Sequence, residues 1–280
     1  MPEESLIAID VGNTNVHIGF FVGETLEARW SLKADTGRER DDYGVALTVL
    51  FERAGIEPTS ISKAVIGSVV PPLTPLFESV LREYCSLAPL VVRAGTRTGV
   101  RLVYDPVFEL GADRIAHAVA AEKLYDTPAI VVDFGTATTF DAVGSGGAYL
   151  GGAIAPGLSI GAHALWRRTA QLHRIGFAFP ARAVGRNTLE AVQSGLLFGH
   201  VGMTKEMISR IRAEIGSGAG VIATGDHAHL ISEHVTEIEV VDRDLALHGL
   251  RLIYERNASA STSRGTGAEA EQQLSGGIHG

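Results

Sequence analysis

Two stretches of this chain are written in one grammar. Residues 130–141, IVVDFGTATTFD, run through an apolar segment into Asp133, then Gly135, Thr136, Thr138 and Thr139, and pass at once into a second β-rich run that ends at Val143. Near the start, Ile7-Ala8-Ile9-Asp10-Val11-Gly12-Asn13-Thr14-Asn15 does the same, again after an apolar run and again before a strand. A strand that ends in Asp-x-Gly and turns directly into another strand is a tight hairpin. Its backbone N–H groups and hydroxyls face outward beside a carboxylate, so it can hold phosphate oxygens while the Asp holds a metal or positions a water. One copy is matched equally well by an ordinary β-turn. The second copy, and a third strand-to-turn at Val221–Asp226 with Thr224-Gly225-Asp226, make a nucleotide phosphate chain the better reading.

The elements around these turns recur in order. Strands are expected at 5–9, 16–22 and 26–32, then a helix at 41–54 with Val45, Leu47, Leu50 and Phe51 at helical spacing and Gly55 as its stop. A strand at 64–70 ends at Pro71-Pro72. A helix at 74–84 and a short strand at 90–92 follow. After the polar-aromatic loop 96–110, TRTGVRLVYDPVFEL, a helix is expected from Gly111 to Tyr125, then strands at 128–133, 137–143 and 147–155 and a helix at 158–165. Residues 166–186 read as an irregular basic loop holding Arg167, Arg168, Arg174, Arg182 and Arg186. Asn187-Thr188-Leu189-Glu190 has the form of a capped helix start, opening a long helix to Ile215 that its glycines are expected to break. A strand at 221–226, a helix at 226–234, a strand at 237–241 and a helix at 244–256 close the pattern. The second half thus repeats the architecture of the first. Residues 258–280 are small, polar and Gly-rich and read as a disordered tail.

Composition narrows the function. A formal net charge of −8 argues against nucleic acid or an anionic membrane as the main partner, although a local Arg cluster can still take an anionic small molecule. With one cysteine, Cys85, no intramolecular disulfide forms; Cys85 reads as a small hydrophobe of the interior. The N-terminal residues have no secretory pattern, and no long uncharged apolar run suggests a membrane span, so a soluble cytoplasmic protein is expected. There is no GxxxxGK[ST]. The GxGxG at 216–220 precedes a strand rather than a helix and fails the dinucleotide test. The segment HAHLISEH (227–234) lacks HExxH and is not read as a zinc site. His17 reads equally as a hydrogen-bonded strand-end histidine and as a ligand contact, whereas His163 reads as a surface or half-packed histidine.

Asp113 stands in the first turn of its helix, where the dipole favours a carboxylate, and a plain cap explains it. Arg114 beside it is disfavoured there unless it meets an anion. Asp113 is also the best candidate general base.

At this point the chain resembles the type III pantothenate kinases of the actin-like ATPase and sugar-kinase superfamily. The resemblance rests on DVGNTN (10–15), SVVPPL (68–73), TGVRLVYDP (98–106), GADRIAHAVAA (111–121), IVVDFGTATTFD (130–141), YLGGAIAPGL (149–158), GRNT (185–188), QSGLLFGHVG (193–202), VIATGD (221–226) and GLRLIYERN (249–257). It implies an α/β protein of two ribonuclease-H-like domains, each a mixed five-stranded sheet flanked by helices, here 1–110 and 111–257, and a homodimer. It implies ATP-dependent phosphorylation of pantothenate, the first step of coenzyme A biosynthesis, with magnesium and a monovalent cation, potassium or ammonium. By the family's pattern Asp10, Val11, Gly12, Asn13, Thr14, Asn15, Val16 and His17 form the first phosphate turn, with Asp10 on magnesium. Thr136 contacts ATP and Asp133 binds the monovalent cation. Tyr104, Gly111, Ala112, Asp113, Arg114 and Thr188 hold pantothenate, with Asp113 as the base. A non-catalytic regulator on the same fold is the alternative. Two positions depart from the pattern: Asp226 stands where the family usually has Gly, which is expected to weaken ATP binding or alter nucleotide preference, and Arg186 stands where Lys is common.

Overall fold

The computed structural model describes residues 4–93, 95–168 and 176–258. Arg174 and the expected tail beyond Ala258 lie outside the described residues. Chain contacts divide the molecule into two compact units. The first takes the described residues up to Gly99, Gly111–Ala116 and those from Leu247 on; the second takes Val100–Leu110 and His117–Ala246.

The first unit is built on β1 (Ser5–Val11), β2 (Asn15–Val22), β3 (Thr25–Lys33), β4 (Lys63–Ser68) and β5 (Leu90–Val91), in sheet order β3-β2-β1-β4-β5. β1, β2 and β3 are antiparallel neighbours, whereas β4 runs parallel to β1 and β5 parallel to β4. Alternation sorts the residues. Ile7, Ile9 and Val11 pair in register with Phe20, Ile18 and Val16, and all six are buried in one cluster with Tyr43, Leu47 and Phe51 of α1 (Arg40–Arg53) and Phe77, Val80 and Leu81 of α2 (Leu73–Cys85). Cys85 joins this cluster as expected, and burial pushes its thiol up to about 11.

The other face carries Asp10, His17, Gly19, Phe21 and Gly67. It is covered by α7 (245–258) and by the first turn of α3 (Ala112–Leu124). A Cβ on Gly19 would lie 3.1 Å from a Leu247 methyl, and one on Gly67 would lie 2.8 Å from a Leu250 methyl and 3.6 Å from Ala112 Cβ. A Cβ on Gly249 would run into the carbonyl oxygen of Ala116, so α7 and α3 approach backbone to backbone. These contacts are why residues remote in sequence belong to the first unit.

The second unit repeats the plan. β6 (Ala129–Phe134), β7 (Ala137–Val143) and β8 (Tyr149–Pro156) are antiparallel, β9 (Gly220–Thr224) runs parallel to β6 and β10 (Val240–Val241) parallel to β9, in order β10-β9-β6-β7-β8. Read from the opposite edge, this is the strand sequence of the first sheet, and both sheets follow the expected ribonuclease-H-like plan. Ile130, Val132, Phe134, Phe140, Ala142, Val221 and Ala223 form one apolar face against α4 (Leu158–Arg168), α5 (Thr188–Ile215) and α6 (Ala228–Ser232). The opposite face is partly polar: Asp133 pairs with Thr139 and Thr224, and Val131 with Asp141.

The expected breaks in α5 do not occur. The helix runs unbroken from Thr188 to Ile215, through Gly195, Gly199 and Gly202. Each glycine costs about 1 kcal/mol relative to Ala. Ser194, Leu197, His200, Thr204, Ile208 and Ile211 bury a stripe at three- and four-residue spacing and offset that cost.

Candidate active site

Asp10 is the penultimate residue of β1. It is half-buried, with His17 opposite it on β2 and Gly67 opposite it on β4. The turn that follows is fastened by its own backbone. Gly12 N–H donates to the Asn15 carbonyl at 3.0 Å, and Ala34 N–H donates to the Thr14 carbonyl at 3.0 Å. Lys33 Nζ donates to Asn15 Oδ1 at 2.9 Å. Asn13 and Thr14 are exposed at the tip. Val11 and Val16, also predicted here, turn their side chains into the core, so only their backbone groups are available to a ligand.

Gly111–Arg114 lies on the same face of the first sheet, because Ala112 packs against Gly67, the strand neighbour of Asp10. Asp113 Oδ1 accepts from the Arg114 backbone N–H at 2.7 Å, so the carboxylate does cap the helix start. A Cβ on Gly111 would collide with that same oxygen and lie 3.1 Å from Val69. The Arg114 side chain is only 6 % exposed. A guanidinium held that far from water requires acceptors or anions around it.

In the second unit Asp133 stands at the carboxyl end of β6. Its carboxylate is framed by two residues without side chains. A Cβ on Gly135 would lie 3.3 and 3.4 Å from its two oxygens, and one on Gly225 would strike Oδ1 outright. Gly225 also has φ +91°, a conformation that L side chains rarely adopt. His227 N–H donates to the Phe134 carbonyl at 3.2 Å and ties the 225–227 turn to the strand end. Thr136 is half-buried on the adjoining turn, and the carbonyls of Gly135 and Thr136 leave no room for a Cβ on Gly157 at the entrance to α4.

Behind this turn Thr138 Oγ1 and His200 Nε2 are 3.0 Å apart. Burial pushes the His200 imidazole down to about 4, and the nearby His227 adds to the effect. Burial also lowers His227, against the opposing pull of Asp226. Asp226 is exposed, one residue beyond Gly225.

Thr188 and Tyr104 sit elsewhere in the second unit. Thr188 begins α5 just after its cap, Asn187, whose Oδ1 accepts from Glu190 N–H at 2.9 Å as the sequence implied. Thr188 lines a cavity of about 690 Å³ together with Leu165, Arg186, Asn187 and Leu196. Tyr104 is absent from that lining; it is half-buried with its ring 6.0 Å from that of Tyr149.

The structure therefore places the predicted residues in four groups: 10–17 with 111–114, 133 with 136, 188 at the cavity, and Tyr104 apart, beside Tyr149. It also exposes residues the sequence reading did not single out, namely Gly157, His200 and the buried pair Asp141 and Tyr149. The available signal was an Asp as the one charged residue of a strand, TTFDAV, since a lone carboxylate there has to be buried against partners. Among the described residues no three His, Cys, Asp or Glu side chains gather to hold a metal, and no helix is long and apolar enough to cross a membrane.

Comparison with known proteins bears on the family and the fold. The model of the type III pantothenate kinase family matches residues 6–210. A type III pantothenate kinase from Dehalococcoides mccartyi is 47% identical over 254 residues, covering 91% of this chain and 98% of that protein. Among solved structures, a conserved protein assigned to the Baf family of transcriptional activators from Campylobacter jejuni matches with a TM-score of 0.58 at 18% identity, covering 90% of this chain and 99% of that one. A ROK hexokinase from Thermus thermophilus matches with a TM-score of 0.50 at 12% identity, covering 91% and 99%. At such identities these two structures speak for the fold alone.

Proposed function

The chain belongs to the type III pantothenate kinase family, and we infer that it transfers the γ-phosphoryl group of ATP to the primary hydroxyl of pantothenate, the first step of coenzyme A biosynthesis. The observation that carries this reading is the 47% identity with a pantothenate kinase across 91% of the chain.

In the transfer, the pantothenate hydroxyl oxygen forms a bond to the γ-phosphorus. The bond from that phosphorus to the β,γ-bridging oxygen breaks, and ADP leaves. Little covalent chemistry falls to the protein; it positions the reactants and neutralises charge. Asp113 takes the hydroxyl proton. Its Oδ1 is engaged with the helix start, so Oδ2 is the oxygen we assign to that task. Arg114 pairs with the pantothenate carboxylate, a use for a buried guanidinium that favours planar anions. Tyr104, Gly111, Ala112 and Thr188 complete the acceptor contacts, with Thr188 at a helix start that favours an anion.

Residues 10–17 hold phosphate oxygens by backbone N–H groups and hydroxyls, and Thr136 does so from the second turn. Asp10 would hold magnesium and Asp133 a monovalent cation, potassium or ammonium. The residues fit these ions in donor chemistry: each position offers a half-buried carboxylate, and that of Asp133 adjoins Gly135 and Gly225, which carry no Cβ. A single carboxylate per ion also suits cations that take their other ligands from phosphate and water. When bound, these ions neutralise charge on the phosphate chain. We further propose a homodimer in the cytoplasm, supported by the exposed Ile160, Leu165, Val184 and Leu189, that engages neither nucleic acid nor membrane, in keeping with the net charge of −8.

The test is coupled ADP release with pantothenate and magnesium-ATP, in potassium against sodium. Pantothenate-dependent turnover that requires potassium and falls by at least about a hundredfold in Asp113→Asn is expected. No turnover with any nucleotide or cation would sink the kinase reading and leave the regulatory one.

A further inference from the structure

Inside the second unit, four polar groups that the proposed reaction leaves unused meet away from solvent. Asp141 and Tyr149 are 0 % exposed, and Thr139 and His117 are nearly as buried. Tyr149 Oη donates to Asp141 Oδ1 at 3.0 Å, Thr139 Oγ1 donates to Oδ2 at 3.4 Å, and His117 Nδ1 lies 3.9 Å from Oδ2. A buried carboxylate is costly unless donors surround it, and a hydrogen bond to a charged group is stronger than a neutral one. The Tyr149 ring is therefore held at both ends of its length, by its hydroxyl and by its backbone.

That backbone also fixes a loop. Tyr149 N–H donates to the Arg101 carbonyl at 2.9 Å, and Val103 N–H donates to the Tyr149 carbonyl at 2.8 Å, which makes a parallel bridge with Leu102. The bridge hands the chain directly to Tyr104, whose ring packs tilted on that of Tyr149. Beyond the bridge the β7–β8 register slips: Val143 pairs with Tyr149 but Ala142 with Gly151, so Leu150 is an extra residue. Such a bulge re-aims the side chains beside it. Gly151, at φ +121°, lies beside the Tyr104 ring: a Cβ there would be 3.9 Å from it, an ordinary contact distance.

We propose that Asp141 and Tyr149 are positioning residues for the acceptor substrate: the buried carboxylate fixes the Tyr149 hydroxyl, and Tyr149 fixes residues 101–104 so that Tyr104 is presented in one orientation. This rests on the reading of Tyr104 as a pantothenate contact. Fixing a contact residue before the substrate arrives removes an ordering cost from binding. Its loss therefore acts on substrate affinity rather than on the chemical step.

The experiment is steady-state kinetics on Tyr149→Phe, Asp141→Asn, Tyr104→Ala and the double variant Tyr104→Ala/Tyr149→Phe, with thermal midpoints recorded for each. Tyr149→Phe removes a single oxygen and keeps the ring, so it stays informative even if Asp141→Asn folds poorly. We expect Tyr149→Phe to raise KM for pantothenate by about tenfold, with kcat and KM for ATP held within about twofold, because only uniform binding is lost. In the Tyr104→Ala background the same change should add almost nothing, since the two act as one unit. A lower thermal midpoint with unchanged pantothenate KM, or full additivity with Tyr104→Ala, overturns the proposal. If Tyr104→Ala itself leaves the pantothenate KM unchanged, the assignment of Tyr104 fails instead, and the proposal falls with it.

Discussion

The two Asp-x-Gly turns share a sequence pattern but not an environment. The Asp10 turn is open. Its tip residues Asn13 and Thr14 are exposed, and it is fastened mainly by hydrogen bonds of its own hairpin and the neighbouring strand. The Asp133 turn is caged, with Gly225 arriving from the end of β9 and Gly157 from the entrance to α4 where no Cβ could stand. One turn offers backbone donors to whatever approaches; the other holds a carboxylate in a fixed frame. The open turn suits a flexible phosphate chain, and the caged one suits an ion that must be recognised by size.

The most damaging way to break this contrast is Gly225→Ala. The new methyl meets both an unfavourable φ and the Asp133 carboxylate, so turnover is expected to fall by about a hundredfold or more. Coupled ADP release beside a circular-dichroism spectrum checks it; wild-type activity would show that the cage is loose. Next in size is the exchange of the two carboxylates' roles. Asp133→Asn should abolish the preference for potassium over sodium, whereas Asp10→Asn should raise the magnesium needed for half-maximal rate by about tenfold. Titrations of each variant with each cation separate the two, and identical cation profiles would erase the distinction between the turns.

A smaller effect is expected at Asp226, which is exposed beside the caged turn. Asp226→Gly should tighten ATP binding by a few fold, about 1 kcal/mol or less, and shift the ranking of ATP, GTP and UTP. Unchanged affinities for all three remove Asp226 from the nucleotide. An effect on stability rather than on turnover is expected in pH. His200 is held down to about 4 from an ordinary value of 6.5. Between those values the unfolded chain binds a proton that the folded chain refuses, so stability falls as pH is lowered through that window. Urea midpoints at pH 7 and pH 5 should therefore differ, and the difference should shrink in His200→Gln; an equal difference in both proteins would exclude His200 as a source.

Both sheets were legible in the sequence because hairpins write period-two patterns into short stretches, and because Asp10 and Asp133 mark the strand ends. The unbroken α5 was not legible, since Gly195, Gly199 and Gly202 argue locally for breaks while the stripe from Ser194 to Ile211 acts only once packed. The candidate site divides in the same way. Asp113 and Gly225 stand in recognisable turns. The bond from Tyr149 to Asp141 joins positions whose facing depends on a register slip, and no local spacing announces that.

The meeting of Gly249 with Ala116 has a consequence for how this gene can be cut. Both sheets follow one plan, so a break in the middle would be expected to give two sister fragments. The first sheet nevertheless takes its cover from Gly111–Ala116 and from the chain after Leu247. A fragment ending before Gly111 would leave Gly19 and Gly67 facing water with nothing to fill the space above them. The halves look like copies, yet the first is completed only by residues that follow the second along the chain.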